Sequence, residues 1–225
     1  MKKLLLSMVL AMAAFVVPQT NAADLDQCAS CHVLDGSKAG ARNDHLQQRK
    51  GPDLSYAGLK FNKPWLVEWL QAPTIIRPAG IYYGRFAMTD ESGQDKVNSD
   101  NLPKHPSFDA AEAEALASAL MELKANPGGI EDDAYSGKGR GRFGKLAFTK
   151  LRGCKGCHLE SPEVGGLSGP ELYTAGKRLQ PDYIASFTAH PQAIEPRTWM
   201  PTLNMSGKDV QNITAFILSL SQGDE

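Results

Sequence analysis

Two copies of one short motif limit what this chain can be. They are Cys28-Ala29-Ser30-Cys31-His32 and Cys154-Lys155-Gly156-Cys157-His158, and they contain all four cysteines of the 225-residue sequence. C-x-x-C-H is the attachment signal for c-type haem. Two thiols bind the haem vinyl groups, the two-residue spacer matches the distance between those groups, and the adjacent histidine reaches the iron. The sequence therefore predicts two covalently bound haem c groups (iron), with His32 and His158 as metal ligands.

Other uses of paired cysteines explain the pattern less well. The pairs lie 126 residues apart, much further than the spacings of zinc fingers or ribbons. A redox dithiol would lie in a β-α-β pattern, which the sequence does not show. Two disulfides are compatible with an oxidising compartment, but they give no reason for a histidine after both pairs.

The N-terminus has the pattern of an export signal. A basic start, Met1-Lys2-Lys3, precedes the apolar run Leu4–Val17 and a small, polar segment that ends at Ala23. This pattern predicts a secretory signal peptide, residues 1–22, cleaved after Ala22 or Ala23. Since the apolar run is short for a membrane span, we expect a soluble, periplasmic mature protein. The uncleaved anchor is the less favoured alternative.

The motif is part of a longer repeat. Each copy is followed by a Gly-Pro segment, a proline-initiated helix with aromatic residues, a residue-Pro break and a closing amphipathic helix. Ser107 and Ser206 are the predicted caps of the closing helices. The first closing helix is expected to end at Asn126-Pro127-Gly128-Gly129. The repeated segments are Gly51–Leu54 and Gly169–Leu172, Pro64–Leu70 and Pro181–Phe187, and the stripes Leu116, Leu120, Leu123 and Val210, Ile213, Ile217, Leu220.

This order of elements resembles the class I cytochrome c family, twice over. The likeness rests on the C-x-x-C-H motifs, the Gly-Pro-x-Leu segments, Trp199-Met200-Pro201 and the closing helices. It implies an all-α fold in which an N-terminal and a C-terminal helix cross beside each haem. The expected division is a first cytochrome c domain at 23–126, a linker at 127–136 and a second domain at 137–225. The first domain departs from the family pattern, because few residues precede Cys28 and an insertion separates Met88 from Ser107.

The resemblance also implies the remaining contacts of each iron. The carbonyls of Pro52 and Pro170 should accept the second ring N–H of the two histidines. Met200 is the expected sixth ligand of the second haem, whereas Met205 is expected to fill the core. For the first haem, the Met/His pairing of cytochromes c favours Met88. In that domain His105 and Lys104 remain alternatives, and Met121 lies within the closing helix.

Charge gives a weaker indication of partners. The sequence has 24 Lys and Arg against 25 Asp and Glu, a balance that argues against nucleic-acid binding. A run of seven basic residues between Ala134 and Leu159 and an acidic stretch at 90–133 could steer docking to redox proteins, including a membrane-bound redox complex. Solvated helix faces explain the same layout equally well.

These observations predict a periplasmic dihaem c-type cytochrome that transfers electrons between redox partners, more an electron carrier than a catalyst. The alternative is a small dihaem oxidoreductase, or the cytochrome subunit of a periplasmic dehydrogenase, with a labile sixth ligand at the first haem. Rapid binding of carbon monoxide to one reduced haem would distinguish that enzyme from a carrier.

Overall fold

The computed structural model describes residues 24–36, 51–81, 83–196 and 198–222. Over these ranges the chain is mainly helical, which confirms the all-α expectation at the level of fold class. The predicted signal peptide, 1–22, lies outside the described residues. Among the described helices, none has the length and apolar character needed to cross a membrane.

The regular elements are short, apart from the two closing helices. The helices are α1 (Asp26–Ala29), α2 (Ala57–Lys60), α3 (Lys63–Gln71), α4 (Tyr83–Phe86), α5 (Ala110–Met121), α6 (Gly141–Leu146), α7 (Ala175–Arg178), α8 (Pro181–Ala189), α9 (Pro191–Ile194) and α10 (Gly207–Leu220). The strands pair as two antiparallel hairpins, β1 (Ala87–Thr89) with β2 (Asp95–Val97) and β3 (Leu159–Ser161) with β4 (Val164–Gly165). Single turns occur at Ser99–Asn101, Ala147–Leu151 and Cys154–Gly156.

The second half is built on the crossing of α6 and α10. Ser206 caps α10 as predicted, because its side-chain oxygen accepts the backbone N–H of Asp209 at 3.2 Å. At the crossing, a Cβ on Gly144 would lie 1.9 Å from a carbonyl oxygen of α10, so only glycine allows this approach. Phe148 and Phe216 pack beside it with ring centroids 5.3 Å apart. The predicted crossing of an N-terminal and a C-terminal helix is therefore present in this half.

The first half also begins with a short helix and closes with a longer one. As expected, α1 is short and covers only Asp26–Ala29. The predicted cap Ser107 is wrong, because Asp109 caps α5 and accepts the N–H of Glu112 at 2.9 Å. The N–H of Phe108 bonds to the carbonyl of Leu70 at 3.0 Å and keeps the chain extended up to that point. The helix also ends at Met121, earlier than the Asn-Pro-Gly-Gly stop predicted.

The two halves meet through a reciprocal contact. Phe61 and Leu179 form an isolated antiparallel bridge. Asn62 donates its backbone N–H to the second half at 2.9 Å, and its side-chain amide donates to two carbonyls there at 3.0 and 3.1 Å. Gln180 makes the same set of bonds in the other direction, each at 2.9 Å. One hydrophobic cluster then spans both halves, with Leu54, Leu116 and Leu120 from the first and Tyr183, Ile213 and Ile217 from the second.

The segment predicted as a linker is anchored to the second half. Ile130 is buried. The N–H of Glu131 donates to Ser186 at 3.1 Å, and that of Tyr135 donates to Asp182 at 2.9 Å. These bonds fix the path of the segment before α6 against α8 of the second half.

Candidate functional site

The histidines of the two motifs have the same partner. Nδ1 of His32 lies 2.7 Å from the carbonyl oxygen of Pro52, and Nδ1 of His158 lies 2.8 Å from that of Pro170. Since a carbonyl only accepts, Nδ1–H is the donor in both cases, and Nε2 carries the lone pair of the neutral ring. Both predicted proline contacts are therefore confirmed. A tautomer fixed through Nδ1 by a backbone carbonyl is common among metal-bound histidines.

Local turns place each histidine beside its cysteines. The N–H of His32 donates to the carbonyl of Cys28 at 2.9 Å, and that of His158 donates to Cys154 at 3.1 Å. The glycine before each proline provides the space for the ring. A Cβ on Gly51 would lie 2.2 Å from Cε1 of His32, and the equivalent approach at Gly169 is 2.6 Å. The repeated Gly-Pro pair was visible in the sequence, but this steric role of its glycine was not.

The four cysteines of the two motifs are free thiols. All four cysteines lie in the described part of the chain, and none of them is in a disulfide. Three of them are half-buried and Cys157 is exposed. Burial raises the pKa of Cys28 and of Cys154, so both are neutral thiols at physiological pH. Within the described residues, no group of three or more His, Cys, Asp or Glu side chains is arranged to hold a metal ion.

The environment of His158 also favours the neutral ring. Desolvation by burial lowers the pKa of His158, and the bond to Pro170 only partly opposes this. Arg77 and Arg178 lower it further through their positive charge. A neutral imidazole is the form that binds a metal.

Met200 lies in the loop between α9 and α10. Its side chain is half-buried, and its carbonyl accepts from Nε2 of Gln192 at 2.7 Å. Met205 is partly buried and packs against the hydrophobic cluster, which confirms its predicted role in packing. Met200 as an iron ligand stays a prediction.

Met88 lies on β1, opposite Lys96 of β2, and the residue is 58% exposed. The hairpin reaches towards the second half, because Lys96 and Val97 border an open apolar groove together with Leu159 and Leu167. Met88 as the ligand of the first iron also stays a prediction. Met121, the other methionine of this half, packs partly buried against the cluster.

His105, one of the two alternatives to Met88, lies beside His32. The two ring centroids are 6.2 Å apart, with an interplanar angle of 56°. His105 also contacts Trp69, with the centroids 4.6 Å apart, and Phe108, at 6.4 Å. Burial lowers the pKa of His105, against the opposing effect of its bond to the carbonyl of Pro106. Lys104, the other alternative, is exposed.

A buried polar cluster joins the two halves near these motifs. The hydroxyl of Tyr56 donates to Glu195 at 2.7 Å, and Arg178 pairs with Glu171 at 3.2 Å with both side chains almost fully buried. Burial raises the pKa of Tyr183 beyond its normal range, so this hydroxyl also stays protonated. Sequence reasoning missed this cluster, because Tyr56 and Glu195 are 139 positions apart and belong to no motif.

The predicted basic run is partly neutralised. Arg152 pairs with Asp209 at 2.8 Å, and Lys155 pairs with Glu160 at 2.8 Å. Both pairs lie close to the second motif, so the positive charge available for steering there is smaller than the sequence count suggests.

Comparisons with known proteins give no further information about this site. No protein-family model, no curated protein and no solved structure matches the chain.

Proposed function

We propose that this protein is a periplasmic dihaem c-type cytochrome that carries electrons between redox partners. The observation that carries the proposal is the duplicated C-x-x-C-H motif in which each histidine donates Nδ1–H to the carbonyl of a Gly-Pro pair. Two independent copies of the same local geometry, each with two thiols beside a histidine held through Nδ1, fit haem c better than any other use of these residues.

Each residue of the motifs has a role in this proposal. Cys28 and Cys31 would hold the first haem, with His32 on its iron. Cys154 and Cys157 would hold the second, with His158 on one side of the iron and Met200 on the other. Bound haem supplies an iron that alternates between the ferrous and ferric states.

The chain itself keeps the two centres in a constant arrangement. Each proposed ligand histidine is tied to the carbonyl of a proline, and the reciprocal bonds of Asn62 and Gln180 join the halves. Burial around His158 lowers the local dielectric, which gives the surrounding residues influence over the redox potential. Such a rigid pair of sites supports a two-centre electron conduit.

Intact mass spectrometry of the exported full-length protein tests the proposal. In a host that attaches haem c, we expect two added haem masses per chain. The double variant Cys28→Ala/Cys31→Ala and the corresponding Cys154→Ala/Cys157→Ala variant should each lose one of the two masses. Ser30→Ala changes the spacer without removing a thiol, so it should retain both. A wild-type product without added haem would overturn the proposal.

A further inference from the structure

The loop that carries Met200 is largely exposed. It runs between α9 and α10, and Trp199, Pro201, Thr202 and Asn204 all lie at its surface, whereas Met200 is half-buried. A loop with so much exposed backbone samples several conformations unless bonds to a fixed element restrict it. The position of the Met200 side chain therefore depends on what holds the backbone around it.

Gln192 of α9 binds both ends of the segment from Met200 to Thr202. Its Nε2 donates to the carbonyl of Met200 at 2.7 Å, and its Oε1 accepts the hydroxyl hydrogen of Thr202. The orientation of the amide follows from these partners, because a carbonyl can only accept, so the NH2 group must face Met200. One side chain thus holds the residues on either side of Pro201.

Both backbone polar groups of Met200 have a partner. Its carbonyl accepts from Gln192, and its N–H donates to Oγ1 of Thr198 at 3.4 Å. The N–H of Thr198 in turn donates to the carbonyl of Glu195 at 2.9 Å. Pro201 adds a further limit, because the residue before a proline is restricted to extended backbone. These restraints together give the Cα–Cβ bond of Met200 a defined direction.

The element that carries Gln192 is well anchored. Pro191, at the start of α9, is buried, and Ile194, at its end, is fully buried in the hydrophobic cluster that spans both halves. Glu195 follows directly, is buried, and accepts the hydroxyl of Tyr56 from the first half at 2.7 Å. Gln192 therefore connects an exposed loop to a buried part of the chain.

We propose that Gln192 is a positioning residue for Met200 and keeps its thioether at the sixth position of the second iron. This inference rests on the proposed dihaem function, in which Met200 is that ligand. Without the two bonds of Gln192 the loop has more conformations, so holding the methionine at the iron costs more entropy and the dissociated state is more populated. An external ligand can bind the iron only in that state, so its apparent affinity rises with the population.

Titration of the oxidised holoprotein with imidazole, followed by visible absorption, measures that population. Gln192→Leu keeps the size of the side chain but removes both bonds, and we expect imidazole to bind the second haem roughly tenfold more tightly. Thr202→Val changes an exposed residue and removes one bond, so it should give an increase of about threefold. Thr202→Ser keeps the hydroxyl and should behave as the wild type. Gln71→Leu is the matched control, because Gln71 is exposed and donates to Val67 within α3, and it should not change the affinity.

Met200→Ala identifies the second haem in this titration, because loss of the ligand should open the site and give the tightest imidazole binding of the set. If Gln192→Leu and Thr202→Val bind imidazole as the wild type does while Met200→Ala binds it much more tightly, Gln192 does not position the ligand. A merely structural role would lower the stability of Gln192→Leu in urea without changing its imidazole affinity.

The proposed function fails in a different way. If Met200→Ala leaves imidazole binding unchanged, Met200 is not the ligand and the inference fails with that assignment. A wild type without haem would contradict the dihaem function itself. The three failures are therefore distinguishable.

Discussion

Removal of the Tyr56 hydroxyl tests whether the buried contact between the halves contributes to stability. The side chain is fully buried, and its hydroxyl donates to Glu195 at 2.7 Å. Burial, followed by the effects of Tyr183 and Glu195, raises the pKa of Tyr56 well above its normal value, so the hydroxyl stays a donor at any physiological pH. Tyr56→Phe deletes this donor and keeps the ring against Tyr183, at 6.3 Å.

The expected loss of stability follows from the type of hydrogen bond that Tyr56→Phe removes. Hydrogen bonds to charged groups contribute about 1.5–3 kcal/mol, and loss of one partner in a buried site removes most of that. Glu195 retains at least one further interaction, which places the expected decrease in the free energy of unfolding at the lower end, about 1.5–2 kcal/mol. The denaturant m-value should not change, because the same surface is exposed on unfolding.

Urea unfolding of the full-length protein, followed by far-ultraviolet circular dichroism, measures this difference. Tyr135→Phe is the matched control, since Tyr135 is only half-buried, and it should change the free energy of unfolding by less than about 0.5 kcal/mol. A double-mutant cycle with Glu195→Gln isolates the coupling between the two side chains. If Tyr56→Phe is as stable as Tyr135→Phe, the bond between the halves does not contribute as argued.

Gly169→Ala should displace the ring of His158, because the added Cβ would lie 2.6 Å from that ring. In the proposed dihaem protein, the visible spectrum should then lose the low-spin signal of the second haem. Gly156→Ala, whose Cβ would meet nothing within 4 Å, should leave the spectrum unchanged. Gly144→Ala should lower the free energy of unfolding by about 1–3 kcal/mol, because the added Cβ would clash with α10. Urea unfolding measures this decrease. Gly207→Ala, at the open first turn of α10, should be neutral or slightly stabilising in the same assay. If the protein carries the two proposed haems, a redox titration should resolve two potentials, and a single wave would contradict a difference between the two sites. The rate of electron transfer to an acidic partner should fall as ionic strength rises, and a rate independent of ionic strength would contradict electrostatic steering by the basic run.

Local signals in the sequence were enough to predict where several of the helices begin. The helices that begin at Lys63 and Pro181 contain a proline in the first turn, and Ser206 has the side chain and the position of a cap. Ser107 was wrong because Asp109 offers an equivalent oxygen two residues later. Which of the two begins the helix depends on a backbone bond to α3, and no local pattern reveals that bond.

Part of the candidate site could likewise be predicted from the sequence, and part could not. The cysteines and histidines of the proposed haem sites follow from the motif, and the proline partners of those histidines follow from the family resemblance. The approach of His105 to His32 depends on how α3 and the segment before α5 pack, so no sequence pattern reveals it. The bond from Tyr56 to Glu195 joins two distant segments and has no sequence signal at all.

The reciprocal bonds of Asn62 and Gln180 have a consequence for the origin of the molecule. Each half offers the other an equivalent edge, with an amide side chain that reaches the facing carbonyls. Such an isologous interface is the kind that identical subunits form about a twofold axis. The pairing therefore fits an origin in which two copies of one half associated through this edge before they were joined in a single chain.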